Sequence, residues 1–183
     1  PPHRMMVGNH DDRAAFLHAF PDAPQADGFI QSSVDIGETR LILLDTLWPG
    51  NVPGLLCDKR LDWLDDRLSS AKEALLFMHH PPFPIGIPSL DECRLTGPEK
   101  LLAVLKKHGN VRHIFAGHVH RLSNGSWNGI PFTTVRGTNH QSALKFTGPH
   151  EVSFEAPSYA VILVEGDTLV VHTEEFGGQS WTL

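Results

Sequence analysis

The chain has 183 residues, with 15 Lys+Arg against 21 Asp+Glu and a formal net charge of −6. An apolar fraction of 40% and a charged fraction of 20% belong to a globular chain that can bury a sizeable core, and they exclude a disordered one. Runs such as Leu41–Leu44 and Ala74–Met78 fall far short of the roughly 20 apolar residues that span a bilayer, and a net-acidic chain without a Lys/Arg cluster does not bind nucleic acid by neutralising phosphates.

Arg4–Val7 reads as the end of a buried strand running into Gly8-Asn9-His10. Asp11 or Asp12 then caps a short helix through Phe20, with Ala15, Phe16, Ala19 and Phe20 as its apolar face. Phe29–Ile36 and Arg40–Leu44 read as strands joined at Gly37-Glu38, a hairpin signal. After a Pro/Gly loop over Trp48–Gly54, Asp58–Ala71 places Leu61, Leu64 and Leu68 at helical spacing, with Asp58 as N-cap.

Ala74–Met78 is a short continuous apolar run, the signature of a strand covered on both faces. Pro81–Gly97 is a Pro-rich loop, and Pro98 suits the first position of a helix through Lys107 that stops at Gly109. Val111–Ala116 is a second buried strand, delivering Gly117-His118-Val119-His120 at its carboxyl end. From Ser123 the texture turns to β: Ser126–Thr134, Tyr159–Val164 and Thr168–Glu174 alternate with Gly/Asn/Asp turns. An α/β middle and a β-rich tail with no linker between them predict one domain over 1–183.

Two cysteines, Cys57 and Cys93, form no disulfide framework and no CxxC pair, and read as reduced thiols of a cytoplasmic protein. Twelve histidines stand out, because imidazole is the commonest metal ligand. Gly8-Asn9-His10-Asp11, His79-His80-Pro81 and Gly117-His118-Val119-His120 each follow a predicted strand, the position where sites assemble in open α/β sheets. Imidazole nitrogens with an amide oxygen suit borderline divalent ions such as Zn, Mn, Fe or Co better than Mg or Ca. In an extended backbone His118 and His120 share a face and could reach the same or adjacent ions. Asp11 reads as a helix cap rather than a catalytic acid, and Gly166-Asp167 as a hairpin turn.

Together these segments resemble the calcineurin-like metallophosphoesterases, whose motifs include GNHD, a His-containing strand end and GHxH. The resemblance covers roughly residues 4–140. Leu44-Asp45-Thr46 and Leu61-Asp62-Trp63-Leu64 also look like the branch with bacterial cyclic-nucleotide and glycerophosphodiester phosphodiesterases. The resemblance implies an αββα sandwich of mixed sheets flanked by helices, and a site of two divalent ions (Mn, Fe, Zn or Co). It implies that Asn9, His79 (in preference to His80) and His118 bind one ion and His120 the second. His10 would orient or protonate the scissile phosphate's oxygens. The implied reaction is in-line phosphodiester hydrolysis by a metal-activated water. The implied partner is a small-molecule diester, a cyclic nucleotide or glycerophosphodiester, with no nucleic-acid duplex and no membrane.

The family's Asp-x-His and Gly-Asp-x-x-Asp strand ends do not occur in this sequence, and the latter supplies the carboxylate that bridges both ions. The αββα sandwich is therefore expected to be incomplete and N-terminally truncated, since the chain opens at Pro1 without Met. It is expected to bind at most one metal weakly and to hydrolyse phosphodiesters poorly. Arg4–Val7 and Ala74–Met78 are expected to be left with an open edge or an uncovered face, and the chain to be a homo-oligomer. Two further readings stand beside the diesterase: a phosphomonoesterase or protein phosphatase of the same fold, and a non-enzymatic scaffold with a degenerate site. The loops Trp48–Gly54 and Phe83–Gly97, with Arg94 as their main cation, would shape substrate choice, and Arg136–His140 either reach the site or form a plain turn.

Overall fold

A computed structural model describes residues 2–176, so the two ends of the expected 1–183 domain, residue 1 and residues 177–183, lie outside the described residues. In chain order the elements are α1 (Arg13–Ala19), β1 (Ser32–Ile36), β2 (Thr39–Leu44), β3 (Gly54–Leu55), α2 (Asp58–Ser69) and β4 (Glu73–Met78). There follow α3 (Pro88–Asp91), β5 (Leu95–Thr96), α4 (Pro98–His108), β6 (Val111–Ala116), β7 (Ser123–Trp127) and β8 (Ile130–Thr134). The last are β9 (Gln141–Ser142), β10 (Val152–Ser153), β11 (Ser158–Glu165) and β12 (Thr168–Glu175).

The continuous apolar runs become the inner strands of a six-stranded sheet in the order β1-β2-β4-β6-β8-β7. Strands β2, β4, β6 and β8 are parallel, and β1 and β7 close the edges as antiparallel hairpin partners. A run such as Ala74–Met78 can sit there because both of its faces are covered. Leu61, Leu64 and Leu68 of α2 and Leu101 and Leu105 of α4 cover one face, packing on Ile42, Leu44, Leu76, Met78 and Ile114. Each such leucine gains about 1.5–3 kcal/mol on burial. On the other face Leu41, Leu75 and Phe77 look across a groove of about 860 Å³ at Ile162–Val164 of β11, which pairs with β12 as a separate two-stranded sheet. The fold is thus mixed α/β with a β-rich C-terminal part, as expected. Between β4 and β6 the register shifts once, so that Ala74 faces Val111 but Leu75 faces His113.

Several expectations change. Val7 is fully buried beside Ile30 and Leu47, but Arg4–Val7 forms no strand, because among the described residues nothing pairs with its backbone. Burial and strand pairing give the same apolar signal in sequence. Strand β4 has no open edge, since β2 and β6 flank it. Helix α1 turns Phe16 and Leu17 inward and leaves Ala15, Ala19 and Phe20 exposed. Cys57, not Asp58, is the N-cap of α2, its carbonyl accepting from the backbone of Arg60 and Leu61 at 3.0 and 3.1 Å. Ser126–Thr134 breaks at Asn128-Gly129, both left-handed (φ 52° and 88°), into the β7–β8 hairpin.

Candidate metal centre

Met78 of β4 and Ala116 of β6 lie opposite each other, so His79 and Gly117 leave the sheet side by side, with Gly117 N donating to His79 O at 3.1 Å. Beyond Gly117 the chain turns at once. Val119 N donates to Gly117 O at 2.7 Å, and both His118 (φ 65°) and His120 (φ 46°) are left-handed. The extended same-face geometry expected of His118 and His120 is therefore absent, because the strand stops at Ala116 and a three-residue turn follows. Left-handed backbone in a residue with a Cβ costs about 1–3 kcal/mol and persists where surrounding structure enforces it.

Asn9 arrives from the turn between Val7 and α1. Asp11 shapes that turn: its Oδ2 accepts from Gly8 N at 2.7 Å, and its own N donates to Gly8 O at 3.2 Å. Asp12 is the N-cap of α1, accepting from Ala15 N at 2.9 Å. The next residue, Arg13, grips the fully buried carboxylate of Asp45 with two 2.7 Å bonds. Asp45 also accepts from the backbone of Ile30 and Leu47 at 2.9 and 3.0 Å, and Arg60 of α2 donates to the Asp45 carbonyl at 2.8 Å. The end of β2 thereby anchors the helix that follows Asn9.

Three donor atoms meet at the carboxyl ends of β4 and β6. Asn9 Oδ1 lies 3.0 Å from His79 Nε2 and 3.1 Å from His118 Nδ1, and the two ring nitrogens are 3.3 Å apart. Ligands about 2.1 Å from one ion stand about 3.0–3.4 Å from each other in octahedral or tetrahedral geometry. The triangle therefore fits a divalent ion, and its neutral N/O composition suits the borderline metals. Burial, then the neighbouring imidazoles His118, His120 and His10, hold the His79 pKa down at about 3. Burial holds His118 down at about 4 against the opposing bond to the Cys93 carbonyl. At neutral pH both rings offer a lone pair rather than a charge.

The other candidates flank the triangle. Burial lowers the His120 pKa, and its Nδ1 donates to the His140 carbonyl at 3.0 Å, which leaves Nε2 as the free ring nitrogen. His10 is exposed on the Asn9 turn, near enough for its charge to depress His79, His118 and His120. His80 brings a ring nitrogen within 4.8 Å of His79 and His118, but Thr46 Oγ1 at 2.8 Å and Val52 O at 3.1 Å occupy both of its nitrogens. Among the described residues no carboxylate bonds to Asn9, His79, His118 or His120. Arg136 is committed to Glu155, Glu175 and the Ala156 carbonyl, and Arg94 donates to the Asp91 carbonyl.

Carbonyls that orient imidazoles leave no mark in a sequence, so the roles of Cys93 and His140 were invisible there. Asp45 had a weak signal, a carboxylate placed directly after the apolar run Leu41–Leu44.

The family model for calcineurin-like phosphoesterases matches residues 1–122. A protein of Rhodopseudomonas palustris named as a probable cyclic nucleotide phosphodiesterase is 38% identical over 180 residues, 94% of this chain and 66% of its own length. A glycerophosphodiester phosphodiesterase of Enterobacter lignolyticus is 34% identical over 143 residues, 75% of this chain and 51% of its own. The chain thus spans between half and two thirds of the length of these curated relatives. A dimetal phosphatase from Danio rerio shares the fold at a TM-score of 0.72 and 19% identity, over 94% of this chain and 69% of that one. With its GNHD turn, paired histidines and GHxH turn converging at one sheet end, the chain belongs to the calcineurin-like phosphoesterase family.

Proposed function

We propose that the chain carries the metal-binding core of a metal-dependent phosphodiesterase acting on small diesters such as a cyclic nucleotide or a glycerophosphodiester. The observation that carries this reading is the triangle of Asn9 Oδ1, His79 Nε2 and His118 Nδ1, with edges of 3.0, 3.1 and 3.3 Å. In this reading those three residues hold one divalent ion (Mn, Fe, Zn or Co), and His120 offers Nε2 to a second. A bound divalent ion supplies a water of lowered pKa and polarises the phosphoryl oxygens.

The protein's own part is positioning and proton transfer. Asn9, held by the Asp11 turn, would give the ion a neutral amide oxygen, which takes away none of the cation's charge. His10, on the open side, reaches the leaving oxygen and gives it a proton, a contribution of roughly 10²–10⁴. The relatives' names, cyclic nucleotide and glycerophosphodiester phosphodiesterases, favour diesters over monoesters.

All donors gathered here are neutral, and neutral ligands compensate a dication less well than carboxylates do. With His120 as the lone donor assigned to the second ion, these 183 residues by themselves accordingly hold at most the first, weakly, and turn over slowly. We also read 1–183 as one cytoplasmic domain and a homo-oligomer. Its two half-buried free thiols fit that location, and Tyr159, Val161 and Leu163, exposed along β11, fit the assembly. The neutral donor set favours a second reading, a scaffold that binds without hydrolysis.

The test is titration with Mn, Co or Zn, followed by turnover of bis(p-nitrophenyl) phosphate, for the wild type and His118→Ala. Metal binding and slow turnover that both vanish in the variant support the diesterase. Binding without turnover selects the scaffold, and no metal binding in the wild type overturns both.

A further inference from the structure

We propose that His80 is a positioning residue that fastens the loop 48–53 beside the metal centre and so sets substrate affinity, rather than serving as a third imidazole ligand. The inference rests on the metal-site reading above and extends it to a residue outside the triangle.

His80 is fully buried, and its ring centre stands 4.8 Å from that of His79, edge on, and 4.5 Å from that of His118. Proximity alone would make it a ligand, but its hydrogen bonds assign another task. The Val52 carbonyl 3.1 Å from Nε2 can only accept, so Nε2 carries the proton. Nδ1 is then an acceptor, served by the Thr46 hydroxyl at 2.8 Å, and the same hydroxyl accepts the His80 backbone N–H at 3.3 Å. Every polar group in this chain of bonds is satisfied in one tautomer. An ion on either nitrogen would strip a bond from a buried partner and leave that group unsatisfied.

The loop shows the complementary shape. Gly54 lies flat on the imidazole: a Cβ there would fall 2.5 Å from His80 Cγ and Nδ1, so only glycine permits the approach. Leu55 N donates to Thr46 O at 3.0 Å and Gly54 N to Arg94 O at 3.3 Å, closing the outgoing end of the loop. At the incoming end the Leu47 carbonyl accepts from Arg13 at 2.7 Å and from Arg60 at 3.2 Å. Between these clips Pro49–Val52 are exposed, and the Val52 carbonyl is their tie to the interior. A single imidazole thus separates the loop backbone from His118. The loop forms a side wall next to the donor triangle, where an ester substituent of the substrate would lie.

Four variants test this: His80→Leu, His80→Gln, Thr46→Val and His79→Ala. The measurements are Mn titration, amide hydrogen exchange over 48–55, and KM and kcat for bis(p-nitrophenyl) phosphate at saturating Mn. His80→Leu should keep Mn affinity within about threefold of wild type, lose exchange protection at Asn51 and Gly54, and raise KM about tenfold with kcat little changed. His80→Gln, which can both donate to Val52 and accept from Thr46, should restore protection and KM. If His80→Leu does not fold, Thr46→Val, nearly isosteric, should show the same split more weakly. Loss of Mn binding in His80→Leu equal to that in His79→Ala would make His80 a ligand and overturn the proposal, as would unchanged exchange and KM. Retention of Mn by His79→Ala would instead overturn the metal-site reading itself.

Discussion

His118 Nδ1 and Asn9 Oδ1 stand 3.1 Å apart across 109 positions of the chain. Nothing local holds them together: one rides on the turn after β6 and the other on the turn before α1. Asn9→Ala removes one corner of the donor triangle and leaves both histidines in place. Changing a residue outside the first coordination sphere already costs 10–100-fold in affinity, so loss of this donor should weaken Mn or Co binding by about 100-fold or more. Isothermal titration reads this directly, and affinity equal to wild type would remove Asn9 from the donor set.

Asp45 is a buried anion between two arginines, of which Arg60 is 4% exposed. Asp45→Ala leaves the Arg60 charge without its counterion and cuts α1 from the sheet. Breaking a buried pair from one side costs about 3–5 kcal/mol. Urea unfolding should show a loss of that size, and hydrogen exchange should show α1 freed first. A loss below about 1 kcal/mol, the scale of a surface pair, would mean that the network is dispensable.

Gly8 leaves no room for a methyl group: a Cβ would sit 2.7 Å from His79 Cε1 and 2.8 Å from Nε2, the atom that faces Asn9. Gly8→Ala should push the ring out of the triangle. Overpacking of this kind costs about 1–3 kcal/mol of stability, and metal affinity should fall at least as far as for an outer-shell change, about tenfold or more. Denaturant midpoints and a Co titration measure the two effects separately.

His113 supplies the acid dependence that does not involve the metal. It is 7% exposed and bonded to Thr133 Oγ1 at 3.0 Å, and burial lowers its pKa from 6.5 to about 4. The unfolded chain therefore takes up a proton near pH 6.5 that the folded chain refuses until about pH 4. Stability is full above pH 6.5 and falls as pH drops through that window, by about 1.4 kcal/mol per pH unit for one proton. His113→Asn should flatten the slope by about one proton, and denaturant titrations at pH 7, 6 and 5 give the comparison. His79, His80 and His118 are depressed in the same direction and add to the slope of the metal-free protein.

The central strands were legible because Leu41–Leu44 and Ala74–Met78 are continuous apolar runs of the kind doubly covered positions accept, and Val111–Ala116 ends in one, Ile114–Ala116. The meeting of Asn9, His79 and His118 was legible for the same reason, since His79 follows such a run directly and His118 follows one after a single glycine. The backbone at His118 and His120 was not. A turn closed by one main-chain bond depends on φ angles that Val119 and its neighbours do not announce. Arg4–Val7 misled because hydrophobic burial against Ile30 and Leu47 needs no hydrogen-bonded neighbour. Asp45 was seen only as part of a family-like strand end, because its partners Arg13 and Arg60 lie 32 and 15 positions away.

Arg112 is the one residue of β6 that β4 leaves unmatched, and it spends its side chain on Glu73 and the Gly166 carbonyl at 2.8 and 2.9 Å. Count the ladder without that surplus residue and Met78 would face Phe115, putting the GHxH turn about 3.3 Å out of step with His79. Asn9 would then have one imidazole within reach instead of two. A mismatch at the end of the strands where no chemistry takes place levels the opposite end, so gain or loss of a residue anywhere along 113–116 would undo the centre while every ligand stayed in the sequence.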